Sequence, residues 1–233
     1  MAKGLVNDTT LRDIADAIRD KKGLHIVPKG YTLVDYIENS GTQYIDTGWV
    51  NGTNYDVNLR IAIPSTGHRY CLLSSYYDKG DVSLELTGDS YPRMYTTTGG
   101  NIALNQIIPT NTITEIMYNF TSGFRKITMN EKSTSTNSGY QTGTKSAYLF
   151  VDRDLRFETF GSFKLYGCVI KQNGVKVRDF VPCYRDSDNE VGLYDVVNDA
   201  FYTNQGTGTF NYGSEVEPYY LLPSEMPQAI ASL

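Results

Sequence analysis

The chain has 233 residues, 40% of them hydrophobic and 20% charged, enough for one sizeable core; this excludes a disordered chain, a coiled coil and a collagen-like fibre. Its net charge of −5 leaves no basic stripe to displace phosphate counterions, so nucleic acid is not an expected partner. No apolar run approaches the roughly 20 residues of a membrane helix, so no membrane insertion is expected.

The first predicted element is a helix. From Asn7 to Gly23 the sequence NDTTLRDIADAIRDKKG sets Leu11, Ile14, Ala15 and Ile18 on one face. Asp8 or Thr10 suits the amino-terminal cap, Lys21 and Lys22 suit the carboxy-terminal end, and Gly23 stops the helix. Met1-Ala2-Lys3-Gly4 lacks the apolar stretch of a signal peptide, so the protein is expected to fold in a cytoplasm.

From about residue 31 to 216 strand signals replace helical periodicity. Tyr55, Val57, Leu59, Ile61 and Ile63 alternate with Asp56, Asn58 and Arg60, the pattern of a half-buried antiparallel strand. Ile116, Tyr118 and Phe120 alternate more weakly, and the apolar run Ala147 to Val151 predicts a strand covered on both faces. Phe163 to Lys171 and Val175 to Val181 flank Asn173-Gly174, a strong hairpin signal, and a second hairpin is expected through Asn198-Asp199. Gly88 to Asn111 and Glu131 to Lys145 carry no readable pattern. Many short strands without β-α-β alternation predict a mainly β fold, an antiparallel β-sandwich of jelly-roll type. The last residues, LLPSEMPQAIASL, predict a short helix with Met226, Ile230 and Leu233 on one face. The expected organisation is a helical segment over 1–30, a β domain over 31–216 and a short helix over 217–233.

Two segments carry a family resemblance: YIENSGTQYIDTG (Tyr36 to Gly48), and Phe160 to Phe210 with GLYD, FYTN and GTGTF in order. They resemble a module of phage and prophage structural proteins that is similar to concanavalin A-like lectin/glucanase and laminin-G-like jelly rolls. IADAIRDKKG (Ile14 to Gly23) and YLLPSEMPQAIASL (Tyr220 to Leu233) resemble the two halves of a small helical motif of phage tail-associated proteins, here split around the β domain. The resemblance implies a virion protein, part of a tail or capsid decoration, with other virion proteins as partners. The small size of the helical element favours symmetric assembly, a trimer among the options. Leu11, Ile14 and Ile18 would then pack with Met226, Ile230 and Leu233 on each other, on the jelly roll or on neighbouring subunits.

For chemistry the residues offer less. His25 and His68 have no identifiable nucleophile beside them, and no strand carries the paired carboxylates of a glycosidase, so no catalytic residue and no enzyme are expected. Cys71, Cys168 and Cys183 lack metal-ligand spacing and read as buried, reduced thiols. Asp186-Ser187-Asp188-Asn189-Glu190 lacks the glycine and distal glutamate of a calcium loop and reads as a solvated turn; no metal or cofactor is expected. Sugars are gripped by aromatic faces together with amide and carboxylate groups. Tyr70, Tyr76, Tyr77, Tyr91 and Tyr95 fall in or beside the divergent middle with Asp78, Asp81 and Arg93 nearby, and Tyr76, Tyr77, Arg93 and Tyr95 are the candidate carbohydrate contacts. Tyrosine also covers strand faces and subunit contacts, so these positions carry a packing reading as well. Trp49, Tyr44, Asp46, Asp195 and Tyr202 read as structural. The expectation is host-glycan adhesion, with a purely architectural decoration protein and a glycoside hydrolase as alternatives.

Overall fold

In a computed structural model, which describes residues 27–75, 81–97, 99–138 and 142–216, the chain forms two packed antiparallel sheets. The strands are β1 (Tyr31–Leu33), β2 (Ile37–Glu38), β3 (Ile45–Val50), β4 (Tyr55–Ala62), β5 (Tyr70–Ser74), β6 (Val82–Leu86), β7 (Pro92–Thr96), β8 (Gly100–Ala103) and β9 (Thr114–Thr121). They continue as β10 (Phe124–Met129), β11 (Lys132–Thr136), β12 (Ser146–Leu149), β13 (Lys164–Gln172), β14 (Val175–Arg185), β15 (Glu190–Asp195), β16 (Ala200–Thr203) and β17 (Asn211–Tyr212). One sheet has the main order β11-β10-β9-β4-β13-β14-β15-β16; the other is six-stranded, β3-β12-β5-β6-β7-β8. Both predicted terminal helices, with Leu11, Ile14, Ile18, Met226, Ile230 and Leu233, lie outside the described residues.

The alternation read in the sequence becomes the inner face of the larger sheet. Tyr55, Val57, Leu59 and Ile61 of β4 are buried beside Ile116, Tyr118 and Phe120 of β9. They meet Leu73, Leu84, Met94 and Leu149 from the second sheet in one core. Trp49 is buried edge-on to Tyr55 and donates from its indole nitrogen to Gln172, as a strand-packing residue should. The Asn173-Gly174 turn joins β13 to β14 with φ of 53° and 79°, the left-handed pair that a tight hairpin requires.

The apolar run Ala147 to Val151 is not one strand covered on both faces. Ala147 and Leu149 face the core while Tyr148 points to the other side, half-buried. Phe150 then takes φ 77° and stacks on Phe163 in the core, so the run ends in a turn that buries a ring rather than in further pairing. The two unreadable stretches hold β7, β8 and β11. The segment Asp186 to Asn189 is the turn between β14 and β15, closed by a bidentate contact from Arg185 to Asp188. All three cysteines are buried and unpaired.

A buried arginine is among the polar side chains that link the two sheets. Arg125 of β10 points inward and is 1% exposed. Its guanidinium donates to the Thr96 hydroxyl (2.9 Å), the carbonyls of Gly99 (2.6 Å) and Gly100 (3.0 Å), and the Ser138 hydroxyl (3.0 Å). It thereby ties the larger sheet to the β7–β8 connection of the smaller one. The incoming and outgoing chain also meet: the Val216 amide donates to the Leu33 carbonyl, and β17 pairs with β2. Residues 33–38 and 211–216 therefore run side by side.

Candidate functional site

The inner face of the smaller sheet is apolar, so the strand period of two sends every alternate residue to its outer face. The register aligns Asp46, Tyr148, Ser74, Ser83, Tyr95 and Asn101 in one row across β3, β12, β5, β6, β7 and β8. At the usual spacing between strands this row is roughly 24 Å long. A second row, Cys71, Glu85, Arg93 and Ala103, lies one pleat away.

At the β3–β12 end the row is aromatic. Tyr44, immediately before β3, lies 4.9 Å from Tyr148 ring to ring and 6.1 Å from Phe157, which sits in a single 3-10 turn between β12 and β13. The Arg153 guanidinium stacks 4.3 Å over the Tyr148 ring and is held there by donation to the Ser146 carbonyl (2.8 Å). Asp46 stands beside them and accepts from the Gly48 amide. Burial and the neighbouring Tyr148 and Asp46 raise the Tyr44 phenol above its usual pKa, with Arg153 opposing. Tyr44, Tyr148 and Phe157 are half-buried, and the Arg153 guanidinium covers one face of the Tyr148 ring.

Farther along the sheet the face is ionic. Glu85, 5% exposed, accepts from both Arg69 and Arg93 at 2.6 Å through the same oxygen, Oε2. Arg69 also lies over the Phe160 ring at 5.3 Å, and its carbonyl accepts from the Gly161 amide. Thus the connection from β12 to β13 returns over this end of the face. Burial pushes the Glu85 carboxyl up, but hydrogen bonds and charge from Arg69 and Arg93 outweigh it, and the net pKa lies below the ordinary glutamate value. A depressed folded pKa means the contribution is complete above the unfolded value and is lost as pH falls through the folded one. Stability curves of the native protein and Glu85→Gln, measured by urea unfolding against pH, should therefore separate near neutrality and converge in acid. Parallel curves would show that the carboxylate gains nothing from its two partners.

Of the candidates read from the sequence, Arg93 and Tyr95 fall on this outer face, in β7. Tyr76 and Tyr77 lie outside the described residues. Tyr70 does not belong to the face: it is 1% exposed in the core, donating its hydroxyl to the Ser65 carbonyl, because β5 turns it inward. Tyr148, Arg153, Phe157, Arg69 and Glu85 are not among the contacts that the sequence suggests, and Tyr44 and Asp46 read there as structural. The signal for Tyr148 was its place as the one polar tip in an apolar run. Asp195 is structural: it is fully buried and accepts from the Asp179 and Val197 amides and the Asn198 side chain. Tyr202 is half-buried edge-on to Phe180. Among the described residues no group of three or more histidine, cysteine or acidic side chains is placed to hold a metal.

No protein-family model and no curated protein matches the sequence. Structure carries the likeness instead. A candidate carbohydrate-binding protein from Bacteroides ovatus superposes with a TM-score of 0.56 at 11% identity, over 80% of this chain and 62% of that one. The fold is a concanavalin A-like jelly roll. Weaker likenesses are to a heptameric SAP-like pentraxin from Limulus polyphemus (TM-score 0.42, 13% identity, 60% of this chain and 74% of that one) and a family 7 alginate lyase (0.37, 15%, 53% and 64%). The chain spans 62% of the length of the Bacteroides protein.

Proposed function

We propose that this jelly roll is a glycan-binding adhesion module of a phage particle, with the outer face of the six-stranded sheet as its ligand surface. The observation that carries the reading is the Tyr44–Tyr148–Phe157 cluster with Arg153 and Asp46 at its edge. Half-buried rings offer flat apolar surface to the C–H face of a sugar, and the charged edge supplies partners for its hydroxyls. The fold it shares with a candidate carbohydrate-binding protein is in keeping with this. The virion setting rests on the resemblance of Tyr36 to Gly48, Phe160 to Phe210 and the two flanking helical halves to phage modules. The pairing of incoming and outgoing strands supports a split helical motif, with the helices joining the module to other virion proteins in a homo-oligomer. Weak single-site affinity would be multiplied by copy number.

The reading is non-enzymatic. Glu85, a buried acid on the face, is held ionised between two arginines and is poorly suited to give up a proton at neutral pH. A glycan array probed with the purified protein is expected to give hits that Tyr148→Ala weakens about tenfold, with the melting temperature little changed because the ring is half-exposed. Its mass in solution, read on the same sample, should be a multiple of the chain mass. Array binding untouched by Tyr148→Ala would move the site elsewhere. A well-folded oligomer that binds no glycan would favour an architectural decoration protein.

A further inference from the structure

The ionic end of the outer face holds two cations around one anion. Arg69 and Arg93 both donate through a terminal nitrogen to Glu85 Oε2, each at 2.6 Å. Among the described residues that oxygen is the one acceptor either guanidinium meets, and the Nε of each is buried without a partner. A guanidinium has five donors in a planar fork, so one shared carboxylate oxygen leaves both forks largely unused. The side chains are 38% and 24% exposed against 7% for Glu85, so the cations and not the acid meet solvent. On a chain of net charge −5 this is a local positive excess. Tyr95 lies in the neighbouring row, two residues from Arg93 on the same face of β7, and the Phe160 ring backs Arg69.

We propose that Arg69 and Arg93, preset by Glu85, form a subsite for the carboxylate of an acidic sugar. Glu85 is the positioning residue: it turns both forks toward one point and stays beneath them. The incoming carboxylate takes the outward edges of the forks, with the rest of the saccharide lying toward Tyr95. The pairing is charge-assisted and planar, which discriminates a carboxylate from the hydroxymethyl group of the corresponding neutral sugar. This rests on the glycan-binding reading and names the ligand class for the same face.

The test uses calorimetry on the full chain with oligosaccharides ending in glucuronate, galacturonate or sialate, each paired with its carboxyl-reduced counterpart. At least one acid should bind about tenfold or more tightly than its reduced form, with the preference shrinking as salt is raised. Arg93→Gln should abolish the preference, and Arg93→Lys should keep the salt dependence but lose most of the discrimination. Tyr148→Ala should instead weaken both members of a pair alike. Equal binding of both members in every pair overturns the carboxylate subsite and leaves glycan binding standing. Binding of no sugar, acidic or neutral, overturns both. The comparison on the native protein does not depend on how the variants fold.

Discussion

Arg125→Ala is expected to lower unfolding stability by about 2–4 kcal/mol. The change opens a cavity between the sheets and strips donors from two backbone carbonyls and two hydroxyls at once. Those acceptors face Arg125 from Gly99, Gly100, Thr96 and Ser138, and burial makes their loss costly. Among the described residues no carboxylate pairs with this cation, so its desolvation is offset by neutral dipoles alone, and burial accordingly lowers its pKa from the ordinary arginine value. The contribution is therefore one of connectivity: a single side chain holds the β7–β8 connection against β10. Arg125→Lys should recover only part of the loss, since three donors on one nitrogen cannot reach acceptors spread around a planar fork. Urea unfolding reads the effect as a shift of midpoint at nearly constant slope. A shift worth under about 0.5 kcal/mol would mean that water replaces the guanidinium without penalty.

The second large effect is expected at Gly192, in the GLYD motif. A methyl added there would sit 2.3 Å from the Tyr202 carbonyl oxygen and 3.0 Å from two carbons of the Phe201 ring. The ring can yield, but the carbonyl belongs to the backbone of β16, which pairs with β15 at this register. Gly192→Ala should therefore push β16 off the sheet edge and cost about 3 kcal/mol. Because β16 lies against β3 at the closed side of the sandwich, hydrogen exchange of both strands should rise together. Exchange that rises in neither, with an unchanged melting temperature, would show that the edge absorbs the methyl group. The same geometry explains part of the motif: glycine admits the close carbonyl, and Asp195 three residues on fixes the following turn.

How much of this was legible beforehand differs from element to element. β4 was read almost to its bounds because its alternation is strict, each inward position being apolar and each outward one polar until the last turn. β7, β8 and β11 were not, since Thr, Ser, Asn and Gly give no contrast between faces. β10 shows why patterning misleads: Arg125 shares the inward face with Ile127 and Met129, and a charge at such a position looks like a residue meant for water. The candidate site was legible in part. Arg93 and Tyr95 were found as polar and aromatic residues in a divergent stretch, whereas Tyr44, Tyr148 and Phe157 come from three separate segments, and their neighbourhood is a product of strand order.

The class of fold, the inner face of the central strands and the Asn173-Gly174 hairpin can be read from the amino-acid order alone. Each follows from local rules: a period of two and a left-handed turn. Which residues share the outer face of the smaller sheet, that Glu85 lies beneath two arginines, and that Arg125 links the sheets emerge only when the strands are assembled. Those depend on which strands lie side by side and in what register. Register in an antiparallel sandwich is set by the packing of both faces together, and no single segment contains that information.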